Sequence, residues 1–317
     1  MFGLKSDWSV KANDRYFTLD DYAGAEPRWC TGCGDLAILA SVHRVCREKQ
    51  LLPEKTVSVS GIGCSSRLPH YMKTYGFHGL HGRALPVACG VKSRRPDLDV
   101  WVATGDGDCF SIGAGHWVHA LRYNMDMTVL VFDNGIYGLT KKQTSPTTPE
   151  EYQTNTHPSG AVLPPLNPLT VSLGVSNISF VAQMVDWNPP LLYETIKAAH
   201  EHKGTSFVRI VQRCPVFMDV MNDEMLDDPA RLLLLNHEQG IPVPDGVGKL
   251  FENQLDHDPG DLSAALGLAT DLSKIPVGLL YRNPDARMYN EISSNGLDLS
   301  HEEKLAGVNE VLDKFLI

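Results

Sequence analysis

The stretch DVWVATGDGDCFSIGAGHWVHALRYNMDMTVLVFDN, residues 99–134, decides the fold. It opens on a β-branched, apolar run that ends in a glycine–acid turn, Gly105-Asp106-Gly107-Asp108. A helical pattern follows over 110–124, and MTVLVFDN (127–134) is a near-continuous apolar strand of the kind buried inside a parallel sheet. Strand, helix and strand in this order make one βαβ unit. Glycines at a strand end let backbone amides approach an anion closely, and the N-terminus of the next helix favours negative charge.

The same alternation extends outward on both sides. Residues 34–50 carry apolar residues at helical spacing, TVSVSGIG (56–63) is a short strand running into a glycine turn, and GRALPVACGVKSRR (82–95) is a helix stopped by Pro96. Downstream, LNPLTVSLGV predicts a helix, SFVAQMV a strand, PPLLYETIKAAHEHKG a helix and TSFVRIVQ (205–212) a strand. Alternating strands and helices predict an α/β fold with a doubly wound, mostly parallel sheet. Ligands of such sheets bind beyond the carboxyl ends of the strands, so the turns at 61–65, 104–108 and 133–139 are expected to gather at one edge. Residues 1–28 are expected to form an N-terminal arm and 29–218 the binding domain. Residues 219–317, acidic and punctuated by Pro and Gly, are expected to form an irregular arm ending in an amphipathic helix, EEKLAGVNEVLDKFL.

Composition narrows the class. The 317 residues suffice for a large core, and hydrophobic residues make up 43% against 21% charged, as in a globular soluble chain. A net charge of −10 with no basic stripe argues against a nucleic-acid partner. No run of apolar residues is long enough to cross a membrane. The start, MFGLKSDWSVKANDRYF, has no apolar signal-peptide core, so a cytoplasmic location with reduced thiols is expected for the 7 scattered cysteines.

Two candidate sites stand out. Asp106 offers a carboxylate to a hard cation, and Asn134, one helix and one strand later, returns to the same sheet edge. With a backbone carbonyl near Ile136 and two phosphate oxygens, these would fill most of a Mg²⁺ octahedron. The bland alternative makes GDGD a turn and Asn134 a strand-end cap. WCTGCGD (29–35) holds the pair Cys30 and Cys33, which alone fits a redox disulfide, half a zinc site or half an iron–sulfur site. Cys46, Cys89 and Cys109 lie in helical patterns or at a helix start and read as core thiols.

The segments WCTGCGD, GIGCSSR, HGLHGRALPVACGVK, ATGDGDCFSIG, DNGIYGLTKKQTSPTTP and RCPVF occur in an order and spacing that resembles the β subunit of the 2-oxoacid:ferredoxin oxidoreductases, across roughly residues 25–217. The resemblance implies a fold of the thiamine-diphosphate-binding type, with the 2-oxoglutarate and broad 2-oxoacid branches closest. It implies thiamine diphosphate with Mg²⁺ on Asp106, Asn134 and Ile136. It also implies one [4Fe–4S] cluster on Cys30, Cys33, Cys64 and Cys214. Ile62, Gly63, Cys64, Ser65, His81, Gly82, Arg83, Ala84, Gly105, Gly107, Asp108, Gly138 and Leu139 would line the cofactor. Arg67 would hold the 2-oxoacid carboxylate, Lys141 and Leu139 would shape the substrate pocket, and His81, with Arg67 and Lys141, would stand among the catalytic residues. His78 takes no role. Two departures are visible: Lys141 and Lys142 stand where many relatives have glycine, and Asp133 where many have a second Asn.

The implied reaction is oxidative decarboxylation of a 2-oxoacid, 2-oxoglutarate before pyruvate, with CoA as co-substrate and electrons leaving singly to ferredoxin, reversible as a carboxylation. With only one diphosphate-binding half in the chain, the resemblance implies a partner α subunit in an αβ or α₂β₂ assembly. The competing readings are a non-redox thiamine-diphosphate decarboxylase or synthase, and a non-catalytic, cluster-bearing scaffold subunit.

Overall fold

The computed structural model describes residues 15–218, 228–293 and 299–315. The expected N-terminal arm therefore lies outside the described residues up to residue 14, and the acidic stretch 219–227 lies outside them too.

The sheet begins with β1 (Thr56–Ser60), an edge strand β2 (Tyr75–His78), β3 (Asp99–Gly105) and β4 (Met127–Asp133). A small two-stranded ribbon follows, β5 (Ile136–Tyr137) with β6 (Gln143–Thr144). Then come β7 (Phe180–Val185), β8 (Thr205–Val211), β9 (Leu232–Asn236), β10 (Asn253–Asp256) and β11 (Ile275–Arg282). Nine of these strands form one sheet in the order β10-β9-β11-β7-β8-β4-β3-β1-β2. All pairings from β7 to β2 are parallel. β4, the apolar run of the opening stretch, is buried at every residue and lies between β3 and β8. The chain steps from β1 out to β2 and then back to β3 on the other side, so strand order reverses at β1/β3.

Helices cover both faces. α1 (Asp35–Glu48) has its apolar stripe Ile38, Leu39, Val42 and Val45 in the core of one face. The short α2 (Leu68–Tyr71) follows the β1 turn, and α3 (Ala84–Arg94) and α4 (Ala114–Tyr123) cover the other face. There Trp117 of α4 packs on Phe110 and Phe207, with ring centroids 4.5 and 5.8 Å away. Truncating a buried aromatic of this kind costs about 3–5 kcal/mol. α5 (Pro168–Leu173) and α6 (Pro189–Glu201) each begin with Pro behind an Asn cap, Asn167 and Asn188, whose side chains accept the first free N–H groups. α6 packs beside α1.

Two elements differ from the sequence reading. The helix expected from residue 110 is preceded by a π-helical turn, Asp108–Ile112, a shape that recurs at functional sites. The stretch expected to be an irregular arm carries β9, β10, β11 and a helix, α7 (Leu262–Thr270), all built onto the sheet or its face. β9 to β11 run parallel to one another, but β11 meets β7 antiparallel, with a register shift between Leu279 and Tyr281. Prolines and glycines between short strands hid them from periodicity. The chain then forms a short helix, α8 (Tyr289–Ser293), and the expected amphipathic helix, α9 (His301–Asp313).

Candidate active site

β1, β3 and β4 are parallel neighbours, so their carboxyl ends deliver three turns to one edge, as expected. The turns enclose a cavity of about 450 Å³. Its wall takes Ile62, Gly63, Cys64 and Ser65 from the β1 turn, Gly105 to Asp108 from the β3 turn, and Asn134 with Ile136 to Leu139 from beyond β4, with His81 on one side.

Asp108 holds these turns together. Its Oδ1 accepts the backbone N–H of Ile62 at 3.1 Å and of Gly82 at 2.7 Å, and lies 2.6 Å from His81 Nδ1. Its Oδ2 accepts the hydroxyl of Thr104 at 2.7 Å. The carboxylate expected to line the cofactor does line the cavity, and its oxygens are engaged by protein groups. Gly61 is required here, because a Cβ on it would overlap the Asp108 carboxylate. Gly82 holds φ +70, a left-handed backbone that glycine adopts at no steric cost. The Tyr137 hydroxyl donates to the Gly107 carbonyl at 2.7 Å and fixes the third turn against the second.

Asp106 is 3% exposed, and burial and the neighbouring Asp133 push its carboxyl up to about 7. Thr147 Oγ1 lies 2.9 Å from Asp106 and 2.7 Å from Asp133, and its single proton serves one of them at a time. Asp133 has its own cation, Arg209, whose Nε donates to it at 2.6 Å while Nη1 holds Gln183. Among the described residues, Asp106 has no ion-pair partner of this kind. Asn134 Oδ1 accepts the N–H of Ile136 at 3.1 Å, which folds the β4 turn beside Asp106. Ser65 Oγ is buried in the same wall without a hydrogen-bond partner among the described residues. A buried carboxylate lacking a cation, an orphaned hydroxyl and glycine-opened backbone are the groups that a divalent cation and a diphosphate would satisfy.

The four expected cluster thiols come to one region next to this cavity. A Cβ on Gly138, in the cavity wall, would lie 3.7 Å from Cys64 Sγ and 3.8 Å from Cys214 Sγ. Cys33 Sγ accepts the side-chain N–H of Gln212 at 3.4 Å. Cys64 and Cys214 both raise Cys33, and Cys30 raises Cys64 and Cys214, so the four are electrostatic neighbours. All four are free thiols; burial raises Cys33 and Cys214 and pushes Cys64 up to about 12. Cys33, Cys64 and Cys214 would ionise readily only against added positive charge, of the kind iron supplies. Among the described residues, no three His, Cys, Asp or Glu side chains gather as a single-ion site does. A cubane, with an iron at each of four corners, draws on thiolates spread more widely. The Asp35 carboxyl, fully buried beside Cys33, is pushed up to about 7 by burial and Asp186.

Other expected residues stand elsewhere. Arg67 lines a separate pocket with Arg28, His70 and Tyr71, where its Nη1 donates to the Arg28 carbonyl at 3.3 Å. Arg83 precedes α3 at the N-cap position, its guanidinium lies against His116, and Ala84 is a buried first residue of that helix. Leu139 lines the cavity mouth, but Lys141 is not in its wall. Lys141 and Lys142 hold φ +67 and +65, left-handed values that explain why glycine suits these positions. Cys46 and Cys109 are core thiols as expected, and Cys89 is half-buried. The sequence reading assigned no role to Tyr137, Thr147 and Gln212. Tyr137 and Thr147 lie in the quoted segment DNGIYGLTKKQTSPTTP, but nothing in the spacing marks Gln212.

The fold and this cavity together define a thiamine-diphosphate-binding enzyme domain: residues 61–210 match the family model "Thiamine pyrophosphate enzyme, C-terminal TPP binding domain". Over 273 residues the chain is 37% identical to 2-oxoacid:ferredoxin oxidoreductase 2, subunit beta, of Aeropyrum pernix, covering 86% of this chain and 85% of that one. It is 44% identical over 242 residues to the 2-oxoglutarate oxidoreductase subunit KorB of Mycobacterium tuberculosis, covering 76% of this chain but only 63% of the mycobacterial subunit. A solved 2-oxoglutarate:ferredoxin oxidoreductase from Magnetococcus marinus, with 2-oxoglutarate, coenzyme A and succinyl-CoA bound, superposes with a TM-score of 0.77 at 38% identity, covering 92% of this chain and 96% of that one. The chain belongs to the β subunits of the 2-oxoacid:ferredoxin oxidoreductases.

Proposed function

We propose that this chain is the cofactor-bearing subunit of an enzyme that oxidatively decarboxylates a 2-oxoacid, 2-oxoglutarate before pyruvate, to the acyl-CoA and CO₂, with ferredoxin as electron acceptor. The observation that carries the reading is one juxtaposition. Cys64 itself lines the cofactor cavity, and a Cβ on Gly138 in the same wall would meet the sulfurs of Cys64 and Cys214, so the two candidate sites share a wall. When bound, thiamine diphosphate supplies a carbon nucleophile for the keto group, and a [4Fe–4S] cluster supplies a one-electron outlet. The chain's own part is placement. Asp106, the Asn134 amide oxygen and the Ile136 carbonyl would hold Mg²⁺, and Ser65 with the backbone from Ile62 to Cys64 would border the diphosphate. His81, kept close to Asp108, stays oriented toward the cavity it lines.

The shared wall favours the redox reading over a non-redox decarboxylase, which has no use for four thiols beside its cofactor. The substrate preference draws support from relatives named for 2-oxoglutarate and from the neighbour solved with it. Leu139 at the cavity mouth and the cationic Lys141 beyond it suit a substrate with a second carboxylate. Arg67, which holds the Arg28 carbonyl in the neighbouring pocket and is a charge neighbour of Cys64 in the cavity wall, is the proposed reader of the carboxylate common to all 2-oxoacids. A partner α subunit, in an αβ or α₂β₂ assembly, would complete the thiamine site, and the cytoplasm is the proposed location. Among the described residues, no helix is long and apolar enough to cross a membrane. The test assays the chain alone, and then with its α subunit, against pyruvate, 2-oxobutyrate and 2-oxoglutarate, with CoA and viologen under anaerobic conditions. Viologen reduction by the pair, fastest with 2-oxoglutarate and absent without CoA, supports the proposal. Turnover by the isolated chain, or decarboxylation without viologen reduction, overturns it.

A further inference from the structure

Gln212 follows directly on β8 and touches both halves of the site. Its side chain lines the cofactor cavity, and its Nε2 donates to Cys33 Sγ at 3.4 Å. The residue is 1% exposed. Its backbone is pinned on the cation side, with the Gln212 N–H donating to the Asp133 carbonyl at 2.8 Å. It is pinned on the thiol side too, because the next carbonyl, that of Arg213, accepts the N–H of Gly34 in the Cys30–Cys33 loop at 3.2 Å. The orientation of the amide is fixed by its partners. Nε2 also donates to the Arg213 carbonyl, so a flipped amide would set its oxygen against a carbonyl oxygen and a sulfur. The price of this orientation is visible at the other end: Oε1 is buried with no hydrogen-bond partner among the described residues. A buried acceptor left unsatisfied destabilises the fold. A leucine of similar size would avoid that cost, so the amide needs a reason to be there.

We propose that Gln212 is a positioning residue that sets the reduction potential of the thiol-held cluster through its N–H to Cys33 Sγ. The assignment rests on the cluster reading given above. The physical reason is the sign of the charge. One-electron reduction makes the cluster and its thiolates more negative, and an N–H aimed at a thiolate sulfur stabilises the more negative state. Hydrogen bonds to the sulfurs therefore raise the potential. The donor is buried, so its N–H is held to protein partners in a low-dielectric setting that strengthens the effect.

The test is an EPR-monitored dithionite titration of the assembled enzyme, with Gln212→Leu and Gln212→Met beside the parent, and iron measured on the same samples. Both variants remove the donor and the unsatisfied acceptor together. The expected result is unchanged iron content and a midpoint moved to more negative potential. A tenfold loss in the reduction equilibrium corresponds to 59 mV for one electron. Full iron content with the parent midpoint in both variants overturns the proposal. Loss of iron in both also overturns it, by making Gln212 a prop for the loop. Absence of iron from the parent enzyme overturns the cluster reading itself, and the assignment with it.

Discussion

Asp106→Asn gives the sharpest check on the cation site, because the substitution keeps shape and removes charge. The folded chain raises the Asp106 carboxyl from its ordinary 3.8 to about 7, through burial first and Asp133 second. At 1.36 kcal/mol per pH unit this is about 4 kcal/mol. The folded-state value lies above the unfolded one, so the direction is fixed. Below about pH 4 both states are protonated and nothing is lost. As pH rises through the window from 3.8 to about 7, the unfolded chain ionises while the folded chain resists, and stability falls. In the metal-free chain, wild type should therefore lose up to about 4 kcal/mol relative to Asp106→Asn between pH 4 and pH 8. Thr147 can still donate to the amide oxygen that replaces Oδ2. Calorimetric unfolding in EDTA at pH 5 and pH 8 measures the difference. Adding Mg²⁺ and thiamine diphosphate at pH 8 should then raise the Tm of wild type and leave the variant where it was, and titration calorimetry should find no Mg²⁺-dependent binding in the variant. A variant no more stable than wild type at pH 8 without metal, or one that binds the cofactor as wild type does, would refute the reasoning.

Further outcomes follow from single residues. Cys214→Ala should remove most of the iron from a protein that otherwise carries about four iron and four sulfide per chain; zinc in place of iron, or full iron in the variant, contradicts the ligand set. Gly61→Ala forces a methyl group into the Asp108 carboxylate that ties three turns together, so it should cost roughly 3 kcal/mol or more and lower the Tm even without cofactor. A wild-type melting curve would mean that the turn yields freely. Lys141→Gly removes a side chain from a left-handed residue, which should raise stability by about 1 kcal/mol while weakening the preference for dicarboxylic over monocarboxylic oxoacids. Stability and substrate preference are read separately, by melting and by kcat/KM ratios.

The parallel half of the sheet was legible because its strands are apolar along their whole length and its helices carry caps that sequence shows directly. β4 is buried at every position, as its composition requires, and Asn167-Pro168 and Asn188-Pro189 mark two helix starts without ambiguity. The antiparallel extension was not legible. β9 and β10 span only Leu232–Asn236 and Asn253–Asp256, and the sequence between them is turn-forming, so each strand is too short to show a period. The place of β9 is settled by pairing with β11, which lies far along the chain and leaves no local mark, and β10 is added onto β9. The edge strand β2 was missed for a related reason: YGFH is four residues long and exposed on each, with no apolar face to reveal it.

The site divides along the same line, between chemistry a residue carries alone and chemistry it acquires from neighbours. Glycine next to aspartate at a strand end, and cysteines beside glycine and proline, mark candidate ligand positions by residue type and place alone. What Asp108 does is different in kind. It sits in the same motif as Asp106, two residues away, yet a π-helical turn swings it inward onto the Ile62 and Gly82 amides while Asp106 is left without a cation. Sequence shows two equivalent carboxylates, and only the hydrogen-bond partners divide them into one that ties the turns together and one that is held by Thr147 beside Asp133. Arg67 makes the converse point. A guanidinium three residues past Cys64 is chemically suited to a carboxylate, and only the short helix α2 that follows sets it beside Arg28 and Tyr71, in a pocket next to the cavity rather than in its wall. Spacing along the chain fixes which turn a residue belongs to; the direction in which its side chain leaves that turn is decided by the next element, and that is where sequence reasoning about this site stopped.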